Sequence, residues 1–332
     1  MEVTMIRNII KYMVIFAVVA VLALPMFSQA EELKELNFGI ISTESSVGLK
    51  SVWAPFLQDM EKKLGLKINA YFASDYAGII EAMRFNKVQL AWYGNKSAME
   101  AVDRANGEIF VQIVDMNGNP GYWSVLITQK DSSIKSIDDI IKNGKQYTFG
   151  NGDPNSTSGY LVPGYYVFAL NNIDPAKYFK RTVISNHETN ALSVATRQVD
   201  FATNNTLDLD RLKKTHPEYY QNIRIFWKSP LIPSDPLVWR KDLPDDMKIK
   251  IKAFFVNYGR TEQEKKIIAN IHEWGSFRAS NNDQLIPIRQ IELFKEKVKL
   301  ENDDKMNAEE KRTKLSKINA DLAELKEKAP AK

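Results

Sequence analysis

Two clusters of turn-forming residues constrain this chain more than any other feature. Asn117-Gly118-Asn119-Pro120-Gly121 is the denser, and a proline-rich break runs through Leu231-Ile232-Pro233-Ser234-Asp235-Pro236. Around and between them one pattern repeats. Short apolar runs that read as strands alternate with segments whose apolar residues recur at helical spacing. Before the first cluster, strands at 36–42, 67–72, 88–93 and 109–114 alternate with helices at 52–64, 76–85 and 97–104. After it the strand 122–128 opens a second series: helix 136–142, strand 146–150, helix 160–170, strand 179–184, helix 188–197 and strand 199–202. Beyond the second break come the strand Leu237-Val238-Trp239 and helices at 244–258 and 261–270. Such alternation implies parallel pairing, with helices on both faces of each sheet. The expected layout is two α/β lobes joined by two crossings: lobe 1 from 31–122 and 236–299, lobe 2 from 123–235. Ligands of open α/β sheets lie in the crevice beyond the carboxyl ends of the strands.

The ends of the chain read differently. Arg7 and Lys11 precede an apolar run of 13 residues, Tyr12 to Leu24, that is too short to span a membrane comfortably. Ser28-Gln29-Ala30 follows as a small-x-small cleavage site, so residues 1–30 are expected to be a signal peptide removed near Ala30. The sequence contains no cysteine, which excludes disulfides, thiol catalysis and a lipid-modified cysteine. Its formal net charge is +4 and no basic block stands out, so nucleic acid is not an expected partner. An exported chain of this kind suits a bacterial periplasm. Residues 300–332 form a charged tail in which Leu315, Ile318, Leu322 and Leu325 mark one apolar helix face. That face either packs on the body or pairs with a second copy in a homodimer.

Within the second series, Thr148-Phe149-Gly150-Asn151-Gly152-Asp153-Pro154-Asn155 reads as the end of a strand and a turn, and Ser156-Thr157-Ser158-Gly159 opens the next, apolar helix. Three hydroxyls at a helix start bring side-chain O–H and free backbone N–H groups to one point, where the helix dipole adds partial positive charge. This is an anion site without a lysine or arginine.

These segments are similar to a known family. Leu36-Asn37-Phe38-Gly39-Ile40-Ile41-Ser42-Thr43-Glu44, Asp75-Tyr76-Ala77-Gly78-Ile79-Ile80, Ala91-Trp92-Tyr93-Gly94, the stretch Gly150–Gly159, His187-Glu188-Thr189-Asn190-Ala191-Leu192 and Ser229-Pro230-Leu231-Ile232-Pro233 all resemble the periplasmic phosphonate-binding proteins of ABC importers. The likeness runs from about residue 36 to 295. It implies a two-lobed type II periplasmic-binding-protein fold with mixed sheets, two hinge crossings and a C-terminal helical tail. It also implies closure over a ligand and delivery to a permease in the inner membrane, with no cofactor.

The resemblance assigns roles to particular residues. A phosphonate offers mostly acceptors, so its site must supply donors. Residues matching Tyr76, Tyr122, Ser156, Thr157, Ser158 and His187 hold the phosphonate group in the family. Asp235 matches an acid that faces the amino group in relatives binding 2-aminoethylphosphonate. A second acid is usual directly after Asn204-Asn205-Thr206; here that position is Leu207, and Asp208 lies one residue on. Either Asp208 turns inward to restore it, or the pocket favours phosphite, methylphosphonate or phosphate over the amino compound. A sensory ligand-binding module is a further alternative. Ser158, His187 and Asp235 also invite a hydrolase triad, but no Gly-x-Ser-x-Gly elbow and no P-loop lysine accompany them, and the histidines show no metal-ligand spacing. A binding protein rather than an enzyme is expected.

Overall fold

The computed structural model describes residues 34–329; the expected signal peptide and its cleavage site lie outside the described residues. Two sheets organise the chain. The first has the order β13(Trp274–Ala279), β4(Gly107–Asp115), β12(Pro236–Arg240), β3(Leu90–Trp92), β1(Glu35–Ile40), β2(Lys67–Phe72). The second has the order β10(Ile223–Lys228), β6(Ser124–Gln129), β9(Phe201–Asn205), β7(Thr148–Asn151), β8(Arg181–Ile184). Pairing is parallel where βαβ units build it, between β1 and β2, β1 and β3, β7 and β8, and β7 and β9. It turns antiparallel where the chain changes lobe or returns: β12 runs against β3 and β4, and β6 against β9 and β10. The sheets are therefore mixed.

Between the sheets lies a two-stranded antiparallel ribbon, β5(Gly121–Tyr122) on β11(Ile232–Pro233). The turn clusters sit beside it, and the strand expected over 122–128 is interrupted at Trp123. Gly121 is required there, since a Cβ would come within 1.8 Å of the Ile232 carbonyl oxygen.

Each sheet carries an aromatic core. In the first lobe Trp53, fully buried on the helix Ser46–Leu64, lies 5.3 to 5.9 Å from the rings of Phe38, Phe56, Trp92 and Trp274. In the second, Phe149 stacks on Phe201 at 4.7 Å and contacts Phe168 and Phe179. The expected helix over 160–170 forms, but as two π turns, Thr157–Leu161 and Gly164–Phe168. Pro163 lies between them and has no N–H to donate; a ring at that point crowds the preceding turn and favours the wider coil. Among the elements that escape the sequence pattern are β10, β13 and the helices Thr206–Thr215 and Ile286–Glu301. β13 reads Trp-Gly-Ser-Phe-Arg-Ala, with no alternation to find.

The helix Ile286–Glu301 belongs to neither lobe alone. Arg289 bonds Asp103 of the first lobe, whereas Phe294 stacks on Tyr165 of the second at 6.0 Å. The helix Ala308–Lys328 packs back on it: Ile318 is buried, and Lys297 bonds Asn319 at 2.9 Å. The apolar face of the tail thus has a partner within its own chain.

The lobes are closed on each other. Ser45 N–H donates to Glu188 Oε2 at 2.9 Å, and Tyr76 N–H to Asp153 Oδ2 at 3.2 Å. Arg211 donates to Glu44 Oε1 at 2.6 Å, with side chains only 12% and 7% exposed. Burial pushes the Glu44 carboxyl up, and the guanidinium works against that shift. Removing one partner of a buried pair costs about 3–5 kcal/mol when the other charge stays buried. Here opening exposes Glu44 to water and relieves the cost. Arg211→Met is therefore expected to favour the open arrangement, seen as a larger radius of gyration by small-angle scattering. The double variant Glu44→Gln/Arg211→Met should return toward the wild-type value.

Candidate functional site

The anion cradle begins where β7 ends. Asp153 turns the chain, its Oδ1 accepting from Asn155 N–H at 2.7 Å and its carbonyl from Ser156 N–H at 2.8 Å. Gly152 N–H donates to the Gly159 carbonyl at 3.0 Å, which folds the loop onto the start of the π turn. No side chain fits between them, because a Cβ on Gly152 would lie 2.5 Å from Gly159 backbone atoms.

The three hydroxyls are then set by what they accept. Ser156 Oγ takes the Gly159 N–H at 2.9 Å, Thr157 Oγ1 the Lys96 N–H at 2.8 Å, and Ser158 Oγ the Asn205 amide at 3.2 Å. A hydroxyl has one proton and two lone pairs, so each still has a proton to give. The backbone N–H groups of Thr157 and Ser158 have no acceptor among the described residues, as befits a helix start. All three side chains are 2% exposed.

Tyr76 faces this group from the first lobe. It opens the helix Tyr76–Arg84 behind an Asp75 cap, is 2% exposed, and its hydroxyl lies near Ser156. His187 opens the helix His187–Ala195, with Nε2 3.3 Å from Ser156 Oγ and 3.5 Å from Ser158 Oγ. Its Nδ1 is buried without a partner among the described residues, and Asn204 fixes its backbone through a 2.8 Å bond to the carbonyl. Burial lowers its pKa, which favours the neutral ring, against the pull of Asp208 and Asp153.

Tyr122 differs from expectation. Its hydroxyl donates to Asp235 Oδ1 at 2.9 Å, so the phenol proton is committed to the acid. Asp235 is half-buried, and desolvation of its carboxyl pushes it up to about 7, with the Tyr122 bond opposing the rise and Asp208 adding to it. Leu207 and Asp208 both line the cavity. Asp208 is held by Asn205, whose amide donates to Oδ2 at 2.5 Å while its Oδ1 accepts the Asp208 N–H at 2.8 Å.

Together these residues enclose a cavity of about 40 Å³. That is roughly three times what one water needs on the same measure. The sequence reading had not singled out Thr43, Trp92, His272 and Trp274, which also line it. Thr43 and Trp92 lie at the carboxyl ends of β1 and β3, where ligand contacts in such sheets are expected. His272 and Trp274 gave no signal because β13 was not recognised. The Thr43 hydroxyl, the Trp92 indole N–H and both nitrogens of His272 are buried without partners among the described residues. The triad arrangement fails on geometry: Asp235 bonds Tyr122, and no acid orients His187 Nδ1.

The chain is similar to known proteins. A family described as "ABC transporter, phosphonate, periplasmic substrate-binding protein" matches residues 38–285. The "Phosphonates-binding periplasmic protein" of Escherichia coli (strain K12) is 60% identical over 295 residues, covering 89% of this chain and 87% of that one. The crystal structure of a binding protein component of an ABC phosphonate transporter from Pseudomonas aeruginosa superposes with a TM-score of 0.87 at 57% identity, covering 89% of this chain and 98% of that one. A more distant structure from Prochlorococcus marinus, in complex with methylphosphonate, shares the fold with a TM-score of 0.69 at 22% identity, covering 78% and 97%. These relatives are binding components of transporters rather than enzymes. The chain belongs to the periplasmic phosphonate-binding proteins of ABC transporters.

Proposed function

We propose that the cavity captures an alkylphosphonate and that the closed protein delivers it to an inner-membrane permease. The tetrahedral head sits against the Ser156, Thr157 and Ser158 hydroxyls and the free N–H groups of Thr157 and Ser158. Tyr76 and His187 complete the donor set, and the substituent faces Asp235, Asp208 and Tyr122. The observation that carries this reading is that the three hydroxyls, the His187 ring nitrogen beside them and the N–H groups of Thr157 and Ser158, which have no acceptor among the described residues, bring donors together at the cavity wall. Bonds from neutral donors to a charged acceptor are worth roughly 1.5–3 kcal/mol each, and burial keeps water from competing. Because Tyr76 comes from one lobe and the hydroxyls from the other, the anion bridges them and stabilises closure by its greater affinity for the closed state. Leu207 supports a second reading, a site for phosphite or methylphosphonate, because it puts an apolar side chain where an acid would meet an amine.

Calorimetry on the mature protein separates these readings. 2-Aminoethylphosphonate or methylphosphonate is expected to bind more tightly than phosphate, and binding of phosphate alone would overturn the proposal. Ser158→Ala should weaken every phosphonate by about 1.5–3 kcal/mol, the worth of one bond to a charged group.

Asp235 supplies an independent test. A carboxyl held at about 7 when folded keeps a proton that the unfolded chain, with a pKa of about 3.9, has already lost. Between those values the folded state binds more protons, so stability falls as pH rises. Asp235→Asn keeps an acceptor for Tyr122 and removes that fall. Its melting temperature without ligand should exceed the wild-type value at pH 8, and the gain should shrink toward zero at pH 4.

A further inference from the structure

The helix Glu262–His272 ends in the cavity wall, and its last residue is placed there by the turn that follows. Glu273 adopts a left-handed conformation (φ 56°), its N–H returning to the Ala269 carbonyl, and its side chain pairs with Lys214. His272 is 5% exposed, with its ring 5.4 Å from Trp92 and 6.3 Å from Trp274. Neither ring nitrogen has a partner among the described residues. A buried polar group left unsatisfied costs about 1–3 kcal/mol, and an apolar side chain of that shape would pack between two indoles without the penalty. The imidazole therefore serves something other than packing, and the cavity is what it borders.

Its neighbours indicate what that is. Trp92, against which it lies, approaches Asp235 without forming a well-aligned hydrogen bond. Of the charges that act on His272, Asp208 pulls its pKa up most strongly, and Arg211 opposes it. We propose that His272 is a specificity-determining residue for the ligand's substituent: its neutral imidazole accepts a hydrogen bond from the ammonium of an aminoalkyl phosphonate. The inference rests on the reading that the cavity binds phosphonates. An ammonium has three donors and no acceptor, and leaving one unmatched in a buried site is costly. Asp235, Asp208 and His272 supply three acceptors where Leu207 supplies none. Burial pushes the His272 pKa down to about 4, so the ring keeps a lone pair at neutral pH.

The test is selectivity in the mature full chain, titrated with 2-aminoethylphosphonate and methylphosphonate. His272→Leu should weaken the amino compound by about tenfold or more and methylphosphonate by less than about twofold; tenfold corresponds to about 1.4 kcal/mol. His272→Gln, which keeps an acceptor, should recover most of the loss. Equal weakening of both ligands by His272→Leu, or no weakening of the amino compound, overturns the inference. Nitrogen-15 NMR of the wild-type histidines needs no variant. A His272 ring-nitrogen shift on adding the amino compound, absent with methylphosphonate, supports the contact, and no shift overturns it. A wild-type protein that binds methylphosphonate but not the amino compound overturns this inference alone. One that binds neither overturns the phosphonate reading as well.

Discussion

Thr157 takes a hydrogen bond from the Lys96 backbone N–H across the cleft, and most of the site depends on that contact. It occupies a lone pair of the hydroxyl and leaves its proton to give, and it forms only when the lobes have met. The cradle is therefore incomplete in an open protein, and a ligand that needs every donor selects the closed state. Closure is reinforced away from the anion by Ser45 with Glu188 and by Arg211 with Glu44. These contacts come from the loop after β1, from the start of the helix His187–Ala195 and from the middle of the helix Thr206–Thr215.

Among the described residues, acids line the cavity and no lysine or arginine does. Lys96 sends its ammonium to Glu100 at 2.7 Å, and Arg211 is occupied by Glu44. An anion in this cavity would be met by hydroxyls, an imidazole and backbone dipoles, which act strongly at contact and weakly at a distance. Such a site discriminates by counting hydrogen bonds. A site of this kind would lose its hold quickly once the lobes part, whereas a cationic site would retain an anion even when open.

The sequence made the skeleton of this arrangement readable and left its finer chemistry hidden. The Ser156-Thr157-Ser158 run could be read as a helix start, and Ser156 does cap it; the anion-site reading of the same hydroxyls leaned on the family resemblance. The two turn clusters marked the hinge because few residues other than Gly, Asn and Pro tolerate such backbone. What could not be read depended on contacts made at long range. Nothing near Tyr122 in sequence says that its proton goes to Asp235, 113 residues later. The π turns follow from Pro163 in hindsight, yet a proline within an apolar run predicts a break as readily as a wider coil. His272 lay next to a strand whose Gly, Ser and Arg concealed it. The helix Thr206–Thr215 was obscured because Leu207, Asp208, Leu209 and Asp210 alternate like a strand while folding as a helix.

The helix Ile286–Glu301 adds a third connection to a body otherwise joined by two crossings. Two adjacent crossings define an axis about which the lobes swing freely. A third attachment leaves that freedom only if one of its ends can slide. At the first lobe it is anchored by the Arg289–Asp103 ion pair, while at the second it rests on faces, Phe294 on the ring of Tyr165 and Lys295 over that of Tyr160. Face contacts shear easily because they are not directional. Parting of the lobes would therefore require the Phe294 ring to slide across that of Tyr165 or to leave it. The tail, packed on the same helix, is carried along with that stroke.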